Sequence, residues 1–116
     1  MSTTTLESFV HEVQLSTSAS ELMYANANEK LFIGQASFTN TSSSAAIEVT
    51  IWKILRTTTP TTGDGGNWIA KKSISPGKMW LCYEIIGKAL EENESIWASA
   101  ATASRINCDI SGTKDI

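Results

Sequence analysis

Apolar and polar residues alternate with a period of two along most of this chain, the signature of strands with one covered and one open face. Phe9, His11, Val13 and Leu15 alternate with Val10, Glu12 and Gln14, which predicts a first strand over 9–16. "ELMY" at 21–24 predicts a short second strand, and "KLFIGQASFT" at 30–39 a third. Gly34 inside the third predicts a bulge or a close backbone approach. In a fourth strand over 46–55, Ile47, Val49 and Ile51 fall on one face, while Glu48, Thr50 and Trp52 fall on the other. "NWIAKKSI" at 67–74 and "MWLCY" at 79–83 predict a fifth and a sixth. Ile96, Ala98 and Ala100, then Ile106, Cys108 and Ile110, mark two more.

The connections carry turn chemistry. "RTTTPTTGDGGN" over 56–67 reads as a loop, with Pro60, Gly63, Gly65 and Gly66 interrupting a threonine run. It is longer than a hairpin needs, and its composition predicts exposure, with either mobility in isolation or order supplied by a neighbour. "SPGK" at 75–78 has Pro at the second and Gly at the third position of a type II turn. Over 84–93 the spacing changes: Ile85, Ile86, Ala89 and Leu90 recur as on a helix, which predicts a short helix near 84–92 across one end of the sheet.

Short strands with regular turn signals predict an all-β fold, an antiparallel β-sandwich of jelly-roll or Ig-like type, with about eight strands and that one helix. A parallel sheet would require several crossover helices. The expected organisation is a flexible N-terminal arm over 1–8, then a single sandwich domain over 9–113.

With 116 residues there is enough chain for one core. No apolar run approaches the ~20 residues that cross a bilayer, so no membrane partner is expected. The opening "MSTTTLES" has neither a basic segment nor an apolar stretch, so use without Sec export is expected. Net charge is −3 and the nine basic residues are scattered, adjacent only at Lys71-Lys72. Phosphate neutralisation needs a clustered positive surface, and nucleic acid is not an expected partner. Cys82 and Cys108 are too few for a disulfide framework and read as two small buried apolar residues.

Catalytic chemistry needs a constellation, and the sequence offers none. His11 is the sole histidine, in an alternating strand with no ligand-spaced Cys or Asp nearby, and reads as an inward or partner-facing residue. Glu91, Glu92 and Glu94 flank Asn93 in a solvated turn rather than forming an acid–base pair. "GDGG" at 63–66 lacks the Lys-Ser/Thr and the following helix of a phosphate loop. No catalytic residue, metal or cofactor is expected, and the chain does not read as an enzyme.

The tryptophans say more. Trp52, Trp68, Trp80 and Trp97 each fall in a predicted strand, where a structural role in the core is one reading. Phase supports another for two of them: Trp52 shares a face with Glu48 and Thr50, and Trp97 with Ser95 and Ser99. Those faces are too polar for a sandwich interior. An intersubunit contact or a sugar-stacking platform suits a tryptophan there. The candidate interface is Trp52, Trp97, Thr50, Thr61 and Asp64.

The ordered series Thr39 to Ser42, Ser73 to Gly77, Glu84 to Leu90, Ile96 to Ala100 and Ser111-Gly112 resembles a family of small virion proteins of tailed bacteriophages. The likeness covers roughly 21–112. It departs at the acidic turn, where Asn93 stands in place of a usual glycine; Asn tolerates positive φ. The resemblance implies a non-enzymatic β-sandwich of the virion, assembled in the host cytoplasm. It further implies a homo-oligomeric capsid decoration or cement protein that partners the major capsid protein or another virion protein. A tail or fibre accessory, or a carbohydrate-binding adhesion module, is the alternative.

Overall fold

A computed structural model describes residues 3–116. The described chain is all β, with nine strands: β1 (Thr4–Gln14), β2 (Ser20–Tyr24), β3 (Lys30–Asn40), β4 (Ile47–Leu55), β5 (Ala70–Ile74), β6 (Met79–Leu81), β7 (Ala89–Leu90), β8 (Glu94–Ala100) and β9 (Ile106–Asp115). One sheet has the order β1-β9-β3-β6, with β7 also on β3; the other has the order β2-β8-β4-β5. The ladders are antiparallel throughout.

These pairings nest. The outermost pair is β1 with β9, inside it β2 with β8, then β3 with β6, and innermost the β4–β5 hairpin. Successive pairs belong to alternate sheets, as when one long hairpin is rolled up on itself. That is the jelly roll, the first of the two predicted sandwich types.

Alternation then decides what is inside. Ile47, Val49 and Ile51 of β4 meet Ile96, Ala98 and Ala100 of β8 and, from the facing sheet, Ala36, Phe38, Ile106, Cys108 and Ile110, all buried. Trp80 packs at the margin, its ring centroid 5.5 Å from that of Phe38. Both cysteines are free and fully buried, as expected of small apolar fillers.

Asn40 is a buried polar residue that closes one end of the barrel-like interior. Its Nδ2 donates to the carbonyls of Ala45 and Ile74, each at 2.8 Å, and its Oδ1 accepts from the Ser42 N–H at 2.8 Å. Its backbone bonds Lys78 and Gly77 across the turn between β5 and β6. Such a fully satisfied amide fixes the geometry of four segments at once, whereas an unsatisfied one would be costly. That turn has the predicted type II character: Gly77 has φ 71° and the Lys78 N–H reaches the Ser75 carbonyl.

Three expectations are corrected. The short helix near 84–92 is absent. Ile85 and Ile86 bond back to the Cys82 carbonyl in a single turn, after which Gly87 takes φ 85° and donates to Ile33 at 2.7 Å. A left-handed residue ends any helix, and the chain continues as β7 on Leu31 and Phe32. The spacing that mimicked a helix reflects that turn followed by a strand, with Ile85 and Leu90 both buried.

The flexible arm is also replaced over its described part. Thr4 to Ser8 form the first half of β1, paired in unbroken register with Asp115 to Ser111; residues 1 and 2 lie outside the described residues. Lastly, the fifth strand starts at Ala70, leaving Trp68 in the preceding loop.

Candidate functional site

Alternation places the candidate interface on the outer face of the β2-β8-β4-β5 sheet. Trp52 of β4 and Trp97 of β8 stand directly opposite each other, and the Trp97 position is flanked on β2 by Glu21. In the next row Thr50 lies between Ser99 and Lys71. The faces are therefore as the sequence phase predicts, and Trp52 and Trp97 are indeed neighbours.

What covers Trp52 is a different matter. Its relative exposure is 0%, yet it lies outside the core between the sheets. The cover is the chain's own 56–67 loop: Trp52 Nε1–H donates to the Thr61 carbonyl at 3.0 Å. The expectation that a neighbouring subunit covers this indole is thus corrected, because a long connection folds back over the sheet it leaves. Thr50 is buried with it, at 7%.

The loop is largely exposed, as predicted, but the expectation that it is mobile in isolation or ordered by a neighbour is corrected, because its own side chains hold it. Asn67 Oδ1 accepts from both the N–H and the Oγ1 of Thr61, at 2.8 and 3.0 Å, while its Nδ2 donates to Thr59. Trp68 Nε1–H donates to the Gly63 carbonyl at 3.0 Å, and Lys71 Nζ lies 4.6 Å from the Trp68 ring centroid. Gly63 and Gly65, both near φ 80°, make the tip that carries exposed Asp64. Thr61 is therefore a structural member of the loop through its carbonyl, and Asp64 is its solvent-facing end.

Trp97 remains half-buried, its Nε1–H donating to Ser95 Oγ at 2.8 Å; Ser95 Oγ in turn donates to the Ile54 carbonyl. Beside it lies a group that sequence reasoning missed. Arg56 holds Glu21 through two bonds of 3.2 and 3.1 Å and stacks 3.5 Å above the Tyr24 ring. Bidentate pairing and stacking fix the guanidinium plane. Nothing local in the sequence signals this, since the partners are brought together only by the β2–β8–β4 order.

At one end of this sheet, Glu94 bonds Lys53 at 2.9 Å and accepts from the Glu91 N–H at 2.7 Å. Burial pushes its carboxyl up, but those two partners outweigh burial and hold it below the usual carboxylate range. His11 is exposed rather than inward, with Nδ1 3.6 Å from Asp109. Among the described residues no group of three or more His, Cys, Asp or Glu side chains could hold a metal ion. No helix there is long and apolar enough to cross a membrane. The arrangement can bind through a braced aromatic and polar face.

No protein-family model matches this chain, and no curated protein does. Among solved structures, it is similar to a chain of the T13 viral particle of infectious bursal disease virus, with TM-score 0.48 and 13% identity over 99% of this chain and 31% of that one. A chain of the Gx strain of the same virus gives TM-score 0.43 and 15% identity, over 98% and 31%. One from its VP2 subviral particle gives 0.36 and 11%, over 98% and 32%. This chain therefore spans about a third of the length of the chains it resembles, and a likeness of this degree decides nothing about function.

Proposed function

We propose that this protein is a structural component of a bacteriophage virion: a capsid decoration or cement protein that binds the head surface and stabilises it as a homo-oligomer. What carries the reading is the resemblance of an ordered series of residues to small phage virion proteins. Its pieces coincide with the points that tie this fold together. Asn40 closes one end, Gly77 bonds back to it, Gly87 turns the chain onto β3, and Gly112 lies against the β3 bulge. A series that encodes ties between strands, rather than a reactive group, suits a protein whose work is to hold its shape on a surface. The half-buried Trp97, in the fixed setting of Glu21 and Arg56, is the side chain best suited to anchor a virion partner, since binding energy concentrates in such aromatics.

Jelly rolls serve as both viral capsid and lectin domains, so topology alone does not choose between them. Trp97 beside Glu21 is also the feature a sugar-stacking module would use, which keeps glycan adhesion as the second reading. The deciding experiment is mass spectrometry and reconstruction of purified particles. The protein is expected at stoichiometric copy number on the head, and recovery only from the soluble lysate would overturn the proposal. Signal on a glycan array together with absence from the head would favour adhesion.

A further inference from the structure

Among the described residues, the backbone of β1 is unpaired along one edge, and its first half is a regular strand. Thr4 to Ser8 pair with β9 without a shift, while bulges follow at Phe9 and between Val10 and Val13, where Glu12 takes φ 51°. Thr3 and Ile116 exchange both N–H···O bonds. By antiparallel alternation Thr5 and Glu7 also bond β9, so the N–H and C=O of Thr4, Leu6 and Ser8 point away from the sheet. Leu6 is 88% exposed.

The other sheet edges among the described residues carry the usual protection against strand addition. β2 is five residues long and bulged after Glu21; β5 is five residues long and carries Lys71 and Lys72; β6 has three residues and β7 two. Short length, bulges and lysines all discourage edge pairing. Thr4 to Ser8 contains no proline, lysine or bulge.

We infer that Thr4–Ser8 pairs with the same segment of a second copy, antiparallel about a twofold axis at Leu6, joining two sheets into one. In this register Leu6 faces Leu6 of the second copy and Thr4 faces Ser8. Each pair exchanges both backbone bonds, because those are the residues whose polar groups point outward. Thr5 faces Glu7, matching a contact already made within one chain, where Thr5 Oγ1 lies 3.1 Å from Glu7 Oε1. A twofold axis at Glu7 would instead set two carboxylates opposite each other, which is destabilising. On the outer face the row Leu6, Thr113, Phe32 would continue across the axis, bringing together two apolar ends that are exposed in one chain. A closed twofold contact of this kind consumes the edge instead of propagating it.

A five-residue strand pair buries little surface, so the association is weak and is best read at high protein concentration. Sedimentation equilibrium of the wild type should show a concentration-dependent dimer. Leu6→Pro removes an outward N–H without touching a β9 bond, and should leave a folded monomer. Leu6→Cys should form a disulfide-linked dimer under mild oxidation, because paired Cα atoms about 5.5 Å apart lie within disulfide reach. Thr4→Cys alone should not crosslink, but should do so when mixed with Ser8→Cys. A wild type that stays monomeric, a folded Leu6→Pro that still dimerises, or a Leu6→Cys that fails to crosslink would each overturn the inference. The cysteine series decides the matter even if the proline variant does not fold. The dimer is read on the isolated chain and the virion role on particles, so either can fail alone.

Discussion

The indole N–H of Trp52 donates to the backbone carbonyl of Thr61, nine residues on, and this one bond clips a twelve-residue loop over the sheet that it leaves. The pair converts an outward-facing tryptophan into an interior one without moving it to the core between the sheets. Trp52→Ala should therefore behave as a core truncation, with about 3–5 kcal/mol lost in denaturant unfolding. That is a large share of a small domain's stability. Trp97→Ala, directly opposite on β8 but half-buried, should leave a folded protein and, under the proposed virion role, weaken particle binding by about 2 kcal/mol, the scale of an interface hot spot. Equal melting temperatures for Trp52→Ala and the wild type would show that the loop does not cover the indole in solution.

Much of the sandwich is legible in the sequence because alternation is a local signal: β3, β4, β8 and the Ser75–Lys78 turn fall close to where the pattern predicts them. The bulge at Gly34 is present as a register shift between Ile33 and Gln35, and Asn93 takes φ 67° in the acidic turn. What the sequence leaves hidden is non-local. Phase places Trp52 on the outer face correctly, but nothing in the loop composition says that Asn67 will brace it from within. The Ile85, Ile86, Ala89, Leu90 spacing misleads because one turn and a short strand satisfy the same burial as a helix. The pairing of Thr4–Ser8 is invisible without knowing that β9 continues past Gly112.

Gly34 and Gly112 should respond differently to the same substitution. A Cβ on Gly112 would collide with the Phe32 carbonyl, which is backbone and cannot yield, whereas one on Gly34 would meet Gly112 Cα at an ordinary 3.7 Å. Gly112→Ala should cost about 1–3 kcal/mol or more, the scale of overpacking. Gly34→Ala should be near neutral. Urea midpoints of the two variants check this, and a Gly112→Ala midpoint equal to that of the wild type would contradict the close approach.

Both thiols should be silent in the native protein. Burial, with the Glu84 carboxylate as a second cause, pushes Cys82 up to about 12, and burial likewise raises Cys108. The thiolate is the reactive form, so at neutral pH neither is available. A thiol reagent should label no cysteine under native conditions and both in denaturant. Rapid native labelling of Cys82 would mean that the segment after β6 opens far more readily than its packing implies.

Acid should weaken the fold through Glu94 and Glu29. The Asn26 backbone N–H, at 2.9 Å, is the main influence lowering Glu29, with Lys114 adding to it; for Glu94 the Glu91 N–H and Lys53 prevail over burial. A carboxyl whose pKa is lower in the folded than in the unfolded chain binds protons more readily once unfolded. Its contribution is then complete above the unfolded value of about 4.3 and is lost as pH falls through the folded one. Thermal melting from pH 7 down to about pH 3 should show a decline that steepens in that acid range. Glu94→Gln removes the ion pair with Lys53, so its melting temperature should be lower at neutral pH and fall less steeply in acid. Because Glu94 is largely covered, added salt should narrow the neutral-pH difference only slightly. An unchanged acid slope in Glu94→Gln would show that this carboxylate is no better held in the folded chain than in the unfolded one.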